Sequence, residues 1–347
     1  MLNTRITKLR AKMEKEAVDG TIITYLPNIY YLIGFTGSNG ILLITHREAI
    51  LFTDFRYKEQ CVREIKGAET FIIKDSLLDE FAAHPLLKSL NKIGFEDTTI
   101  RYATYSTLKQ KLTSKELVPF KNKVEELRKI KDPQEIEVIK KAAQIAHTVF
   151  NSIVPIAQPG IKEEDIAIEL EYQFRKHGAE KASFDTIVAS GPNAALPHAR
   201  ASNKRLQEGE TVTFDFGVLY EHYASDTTRT IILGKNPKAR EIYKIVQQAQ
   251  EKAINSIKQG VQLKEIDAIA RNIITEAGYG KYFGHSLGHG IGIEVHEEPK
   301  VSKKSEDIVQ PGMVFTIEPG IYLPNWGGVR IEDMIVVTEK GIEIITN

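Results

Sequence analysis

The stretch from Pro133 to Gly217 is echoed from Pro237 to Gly320. In each, a long helical pattern (Pro133 to Ile153, Pro237 to Ile257) leads to a glycine (Gly160, Gly260). A second helix follows and ends at another glycine (Gly178, Gly278), both glycine pairs being offset by 100 residues. A strand pair comes next, and its first strand aligns at an offset of 103, GETVTFDFG (Gly209 to Gly217) against GMVFTIEPG (Gly312 to Gly320). Helices then strands, twice over, predict an α+β unit of two ααββ halves related by a pseudo-twofold axis, with the two sheets meeting. Asp215 falls on Glu318, so an acid recurs at one inward position of each half.

Each acid has a partner across a predicted hairpin. Asp215 lies in the apolar run VTFDFGVLY and Asp226 begins the return strand SDTTRTIIL, the two being equidistant from a turn centred between Tyr220 and Glu221. Glu318 and Glu332 are likewise equidistant from Asn325, in the connection PNWGG. Like charges facing across a strand pair repel, and a carboxylate in an apolar sheet costs several kcal/mol unless paired. Arg229 and Arg330 are the nearby basic residues, and two arginines do not balance four gathered carboxylates. Two divalent ions do.

The rest of the chain sets the context. Its 347 residues suggest two domains at ~150 residues each. Residues 4–18 read as an amphipathic helix, followed by short β-rich runs, TIITYL, GILLITH, AILFTD and TFIIK, of a mixed α/β domain. The charged stretch PFKNKVEELRKIKD ends at Asp132-Pro133, which suits a helix start, and the domain boundary is placed in this stretch, giving 1–125 and 126–347. Lys+Arg and Asp+Glu number 46 each, so no net field favours nucleic acid or an anionic membrane. The single cysteine, Cys61, allows no internal disulfide, and the amino-terminal sequence lacks a signal-peptide core, so the cytoplasm is the expected compartment.

GHSLGHGIGIEVHE, Gly284 to Glu297, puts three of the nine histidines into fourteen residues. Gly284 to Gly288 matches the G-x-S-x-G nucleophile elbow around Ser286. An elbow needs a helix next, however, and Gly288, Gly290 and Gly292 would each weaken one by ~1 kcal/mol. The glycines lack dinucleotide-binding spacing, and His289 and His296 lack the H-E-x-x-H spacing of a zinc helix. A glycine-softened strand remains, with His289, Ile291, Ile293 and Val295 on one face. His46, His84, His147, His177 and His222 are read as ordinary core or surface residues.

These residues resemble the pita-bread metallopeptidases, the family of methionine aminopeptidase, aminopeptidase P and prolidase. The resemblance spans the chain: a creatinase-like amino-terminal domain with NIYYLIGFTG and FTDFRY, then a catalytic half in which DFG, SDTTRT, GHGIG, IEPG and RIED match in order and spacing. It implies that Asp226 and Glu332 bridge two metals, Asp215 completes one site, and His289 with Glu318 completes the other. Two such ions lower the pKa of a water between them toward neutrality. Glu318 is then the candidate general base, and His198 (in ALPHAR) and His296 are non-ligand donors to the oxyanion. His285, Arg330 and Tyr322 are implied to line the substrate cleft, and Lys300 to meet the free carboxylate of a dipeptide's proline. Oxygen-rich ligation with one imidazole suits Mn²⁺ or Co²⁺, with Fe²⁺ or Zn²⁺ as alternatives.

The implied activity is hydrolysis of the Xaa-Pro bond, foremost in dipeptides. Xaa-Pro aminopeptidase action on longer peptides, metal-free creatinase-type hydrolysis and a non-catalytic binding module stand as alternatives. The resemblance also implies a homodimer in which the segment Tyr30 to Asn39 helps close the partner's cleft.

Overall fold

A computed structural model describes residues 2–346. The chain forms two compact units, 1–128 and 129–347.

The first unit is built on a six-stranded mixed sheet, in the order Glu69–Ile73, Ala49–Asp54, Ile41–Thr45, Gly20–Ile23, Lys92–Phe95, Glu116–Pro119. Gly20–Ile23 runs parallel to Lys92–Phe95 and antiparallel to Ile41–Thr45. Ile22, Leu43, Phe52 and Ile93 from the sheet pack with Phe81, Leu87 and Leu108 from the helices. The first four β-rich runs of the sequence are all strands. The last two strands carry only four residues each, too few to show a periodicity.

In the second unit the repeat is real to the level of single hydrogen bonds. Helices Pro133–Ile153 and Glu163–Lys176 are matched by Pro237–Ser256 and Leu263–Glu276. Asp132 caps the first of these through a capping box, and Asn236 caps its counterpart. Gly160 and Gly260 hold φ of 95° and 89°, Gly178 and Gly278 hold 95° and 86°, all left-handed positions at which a Cβ would be strained. Gly160 N donates to Leu206 O and Gly260 N to Val309 O, the same bond in both halves. Each half has its own core: Ile145, Val149, Phe174, Phe214 and Phe216 in the first, Val246, Ile266, Ile274, Phe315 and Ile335 in the second.

The first half's sheet is Thr227–Ile232, Thr211–Phe216, Ile187–Ser190. The second half's begins Glu297–Val301, Gly288–Gly290, Val314–Ile317, Asp333–Thr338. They meet where Glu332 N donates to Thr228 O, and where Thr230 Oγ1 donates to Arg330 O. No helix of the described residues is long and apolar enough to cross a membrane.

The register of the first hairpin differs from the expectation by two residues. Tyr220 pairs with Tyr223 and Asp215 with Thr228, so the turn is centred on Glu221 and His222, whose φ values are 45° and 65°. A two-residue turn with both φ positive matches the strand twist, but Asn-Gly is its usual signal, and Glu-His gives none. Asp226 therefore lies diagonal to Asp215 rather than opposite it, on the same face. The second hairpin has the expected register: Ile317 pairs with Asp333 and Gly320 with Arg330, which places Glu318 and Glu332 opposite each other about Asn325, at φ 60°.

Candidate metal centre

Five side chains converge where the two sheets meet. Asp215 comes from the strand Thr211–Phe216, Asp226 from just ahead of Thr227–Ile232, and His289 from Gly288–Gly290. Glu318 follows Val314–Ile317, and Glu332 precedes Asp333–Thr338. Small residues let the backbones approach. A Cβ on Gly217 would lie 1.9 Å from Ser225 O, and one on Gly288 would lie 1.9 Å from Thr316 O. The histidine strand is shorter than expected, because a bulge follows His289 and the chain turns from Gly292 onward. Ile293 and Val295 therefore do not extend one face with His289.

The hydrogen bonds fix the state of His289. Its Nδ1 lies 3.1 Å from Gly290 O, which only accepts, so Nδ1 carries the proton and Nε2 presents a lone pair. That lone pair faces Glu318 Oε1 at 3.3 Å and Asp226 Oδ2 at 3.5 Å. Burial pushes the imidazole down to about 4, with His296 adding to the shift. A lone pair aimed at two carboxylates is repulsive unless a cation lies between them.

The carboxylates point the same way. Burial, reinforced by Glu332, raises Asp226 and Glu318 well above the usual carboxylate range, and burial with Asp215 pushes Glu332 up to about 8. Ligating atoms of Asp226, His289 and Glu332 all lie within 4.8 Å of one another. Asp215 Oδ1 and Glu332 Oε1 are buried without a hydrogen-bond partner, and such orphaned acceptors cost energy unless something cationic meets them. Four carboxylates and one imidazole, with two acceptors left open, fit a pair of divalent ions.

Arg330 meets one acid. Its NH2 donates to Asp215 Oδ2 at 2.5 Å and its Nε to Thr228 Oγ1 at 3.0 Å. Arg229 instead turns away, donating to Asp333 Oδ1 at 2.7 Å. From Arg330 a chain of bonds runs along the cleft: NH1 donates to Tyr322 OH at 3.0 Å, and Tyr322 OH donates to His285 Nε2 at 2.9 Å. That direction is forced, since His285 Nδ1 uses its proton on Ser286 O at 2.7 Å. Burial lowers His285 to about 4 and raises Tyr322 to about 12, so both are neutral at pH 7.

The remaining expected residues surround this centre. His296 stands edge-on to His289, ring centroids 4.3 Å apart. His198 is exposed and faces the same cleft: burial chiefly lowers His296, with His198 adding to the shift, and burial, Arg330 and Arg271 lower His285 ahead of a smaller contribution from His198. Lys300 is exposed and pairs directly with His289, so the two side chains share a face.

Two residues escaped the sequence reading. Thr228 Oγ1 donates to Glu332 Oε2 at 2.7 Å. Thr316 Oγ1 accepts from His289 N at 3.1 Å and lies 3.4 Å from Glu318 Oε1. The repeat offers a signal for the second, since Thr213 and Thr316 align at the same offset of 103 as the acids.

The model of metallopeptidase family M24 matches residues 137–339, and that of the creatinase/prolidase N-terminal domain matches residues 5–130. The chain is 42% identical to an Xaa-Pro dipeptidase of Pyrococcus horikoshii, over 100% of this chain and 97% of that protein. The solved structure of an Xaa-Pro dipeptidase from Bacillus anthracis superposes with a TM-score of 0.97 at 44% identity, covering 100% and 98% of the two chains. An X-Pro aminopeptidase from Thermotoga maritima follows at 0.89 and 37%, covering 97% of each. With its pita-bread catalytic unit and creatinase-type amino-terminal domain, this chain belongs to metallopeptidase family M24.

Proposed function

We propose that the chain hydrolyses the Xaa-Pro bond of dipeptides, using two divalent ions held by Asp215, Asp226, His289, Glu318 and Glu332. One observation carries the chemistry: the His289 lone pair and the orphaned oxygens of Asp215 and Glu332 converge among buried carboxylates that no protein cation neutralises fully. The Xaa-Pro preference draws on whole-length similarity to proteins named Xaa-Pro dipeptidases.

Bound divalent ions would polarise the scissile carbonyl and bring an attacking water's pKa toward neutrality. The protein's own groups do the rest. Asp226 and Glu332 would hold both ions, Asp215 would help to hold one, and His289 with Glu318 the other. Glu318 takes the water's proton. His198 and His296 donate to the carbonyl oxygen as charge develops on it. Neutral His285 and Tyr322, braced by Arg330, shape the wall against which proline sits. Lys300, on the face of His289, takes the substrate's free carboxylate.

Mn²⁺ or Co²⁺ suits this oxygen-rich set best. We also read the protein as a cytoplasmic homodimer, a compartment that suits its one cysteine, reduced and buried.

The decisive assay compares an Xaa-Pro dipeptide with an Xaa-Pro-Yaa tripeptide on Mn²⁺-loaded protein, with and without chelator. Dipeptide cleavage abolished by chelator is expected. Equal cleavage of the tripeptide would instead favour the aminopeptidase reading, which the likeness to the Thermotoga maritima protein keeps in view.

A further inference from the structure

A buried ion pair lies beneath the loop that carries His296. Lys131 Nζ is 3.2 Å from Glu297 Oε2, and their side chains are only 1% and 5% exposed. The partners are 166 residues apart in sequence. Taking two charges out of water costs several kcal/mol each, and apolar residues of similar size often stabilise a core as well or better. Such a pair is therefore weak evidence of a role in stability, and what it ties together is the better guide to its role.

The surroundings show what is fixed. Glu297 Oε1 accepts from Glu294 N at 2.9 Å, and Lys131 N donates to Gly312 O at 2.8 Å, so both partners are tied to backbone. Gly292 lies against the pair: a Cβ there would be 2.8 Å from Glu297 Oε2 and 3.0 Å from Lys131 Cε. Gly292 O in turn accepts from Ala224 N at 2.7 Å, which fastens the loop to the segment just ahead of Asp226. The strand pairing slips at this point, since His289 pairs with Lys300 but Gly290 pairs with Glu297. A bulge of this kind re-aims side chains beside active sites. His296 stands at the edge of this slip, adjacent to Glu297 in sequence and edge-on to His289.

We propose that the Lys131–Glu297 pair, with Gly292 packed against it, is a positioning device that holds His296 in its place beside the metal centre. The inference rests on the reading of His296 as a donor to the substrate. It assigns a task to the charged segment ahead of the first long helix, which forms no part of the ligand set.

The test is a mutant cycle on full-length Mn²⁺-loaded protein, using His296→Ala, the double variant Lys131→Met/Glu297→Gln, and all three changes together. The double variant removes both charges and so avoids leaving one buried alone. His296→Ala is expected to lower kcat on the order of 100-fold, as for loss of an oxyanion donor. The double variant should fall by a comparable factor, and the triple variant should stay within about twofold of the double, because both changes remove the same contribution. Mn²⁺ affinity should hold in all three.

Gly292→Ala forms an independent arm, since it crowds the pair without removing either charge. It should lower kcat in the same way and, in the metal-free protein, shift the His296 ring resonances, assigned by their loss in His296→Ala. Wild-type kcat in the double variant and in Gly292→Ala would overturn the positioning role while leaving His296 as donor. Losses that multiply in the triple variant would overturn it equally. Unchanged kcat in His296→Ala would instead sink the donor reading itself.

Discussion

Nε2 of His289 faces Oε1 of Glu318 across 3.3 Å, with its only ring proton already committed to Gly290 O. Two acceptors held this close, from neighbouring strands, repel unless a cation lies between them, as the proposed ligand set requires. The protein supplies the rigidity, since His289 sits within Gly288–Gly290 and Glu318 just past Val314–Ile317, strands that pair with each other over a buried core.

Replacement of Asp226 should therefore separate stability from binding. Asp226 is buried and repelled by Glu332 and Asp215, so its carboxyl strains the metal-free fold. Asp226→Asn should lower Mn²⁺ affinity by at least ~100-fold while the metal-free protein gains on the order of 1 kcal/mol, the usual trade between function and stability. Titration calorimetry and denaturant unfolding of chelated protein test both halves. A variant that bound Mn²⁺ normally would remove Asp226 from the ligand set.

Thr316 is fully buried, and its hydroxyl joins the backbone of His289 to the carboxylate of Glu318. Thr316→Val keeps the shape but strands the His289 N–H, at a cost of about 1–3 kcal/mol in stability. It should also weaken Mn²⁺ binding roughly tenfold, the lower end for loss of a group that orients ligands. Thr316→Ser should restore both. Losses in the serine variant with none in the valine variant would point to the methyl group rather than the hydroxyl.

Lys300 tests the dipeptide specificity. It is exposed and shares a face with His289, so a substrate held at the centre can bring its carboxylate alongside. Lys300→Met should raise KM for an Xaa-Pro dipeptide roughly fivefold, the scale of one exposed ion pair, with little change in kcat. A KM that stays constant in steady-state assays would assign the carboxylate to another residue.

The acids were legible because they break a local rule. Asp215 and Glu318 interrupt apolar strands, and a repeat at a fixed offset says that the interruption is built in rather than accidental. Glycines at left-handed positions, Gly160 and Gly260 among them, gave the repeat its punctuation. Glu221 and His222 gave none, since neither residue type announces a left-handed turn, and the first hairpin was misregistered by two residues as a result. Thr228 and Thr316 were hidden for another reason. A threonine in a strand is ordinary, and only the fold reveals that its hydroxyl meets a ligand.

Glu96, in the first unit, gives a pH signature of its own. It is 5% exposed, with Oε2 accepting from Thr24 N and Tyr25 N and Oε1 from Asn28 Nδ2. Burial nevertheless dominates and pushes its carboxyl up to about 7 from an ordinary 4.5, with Glu125 adding to the shift. Asn28 also donates to Glu125 and accepts from Arg128, which brings both charged groups close to it. Between pH 4.5 and 7 the folded state holds a proton that the unfolded chain has released. Stability therefore falls as pH rises through that window, by about 3 kcal/mol in all. Glu96→Gln removes the titration, so wild type should lose stability relative to the variant from pH 5 to 7, with the difference levelling above about 8. Denaturant unfolding of both proteins in parallel across that range measures it, and a difference that stayed flat with pH would show that Glu96 ionises in the folded protein as readily as in water.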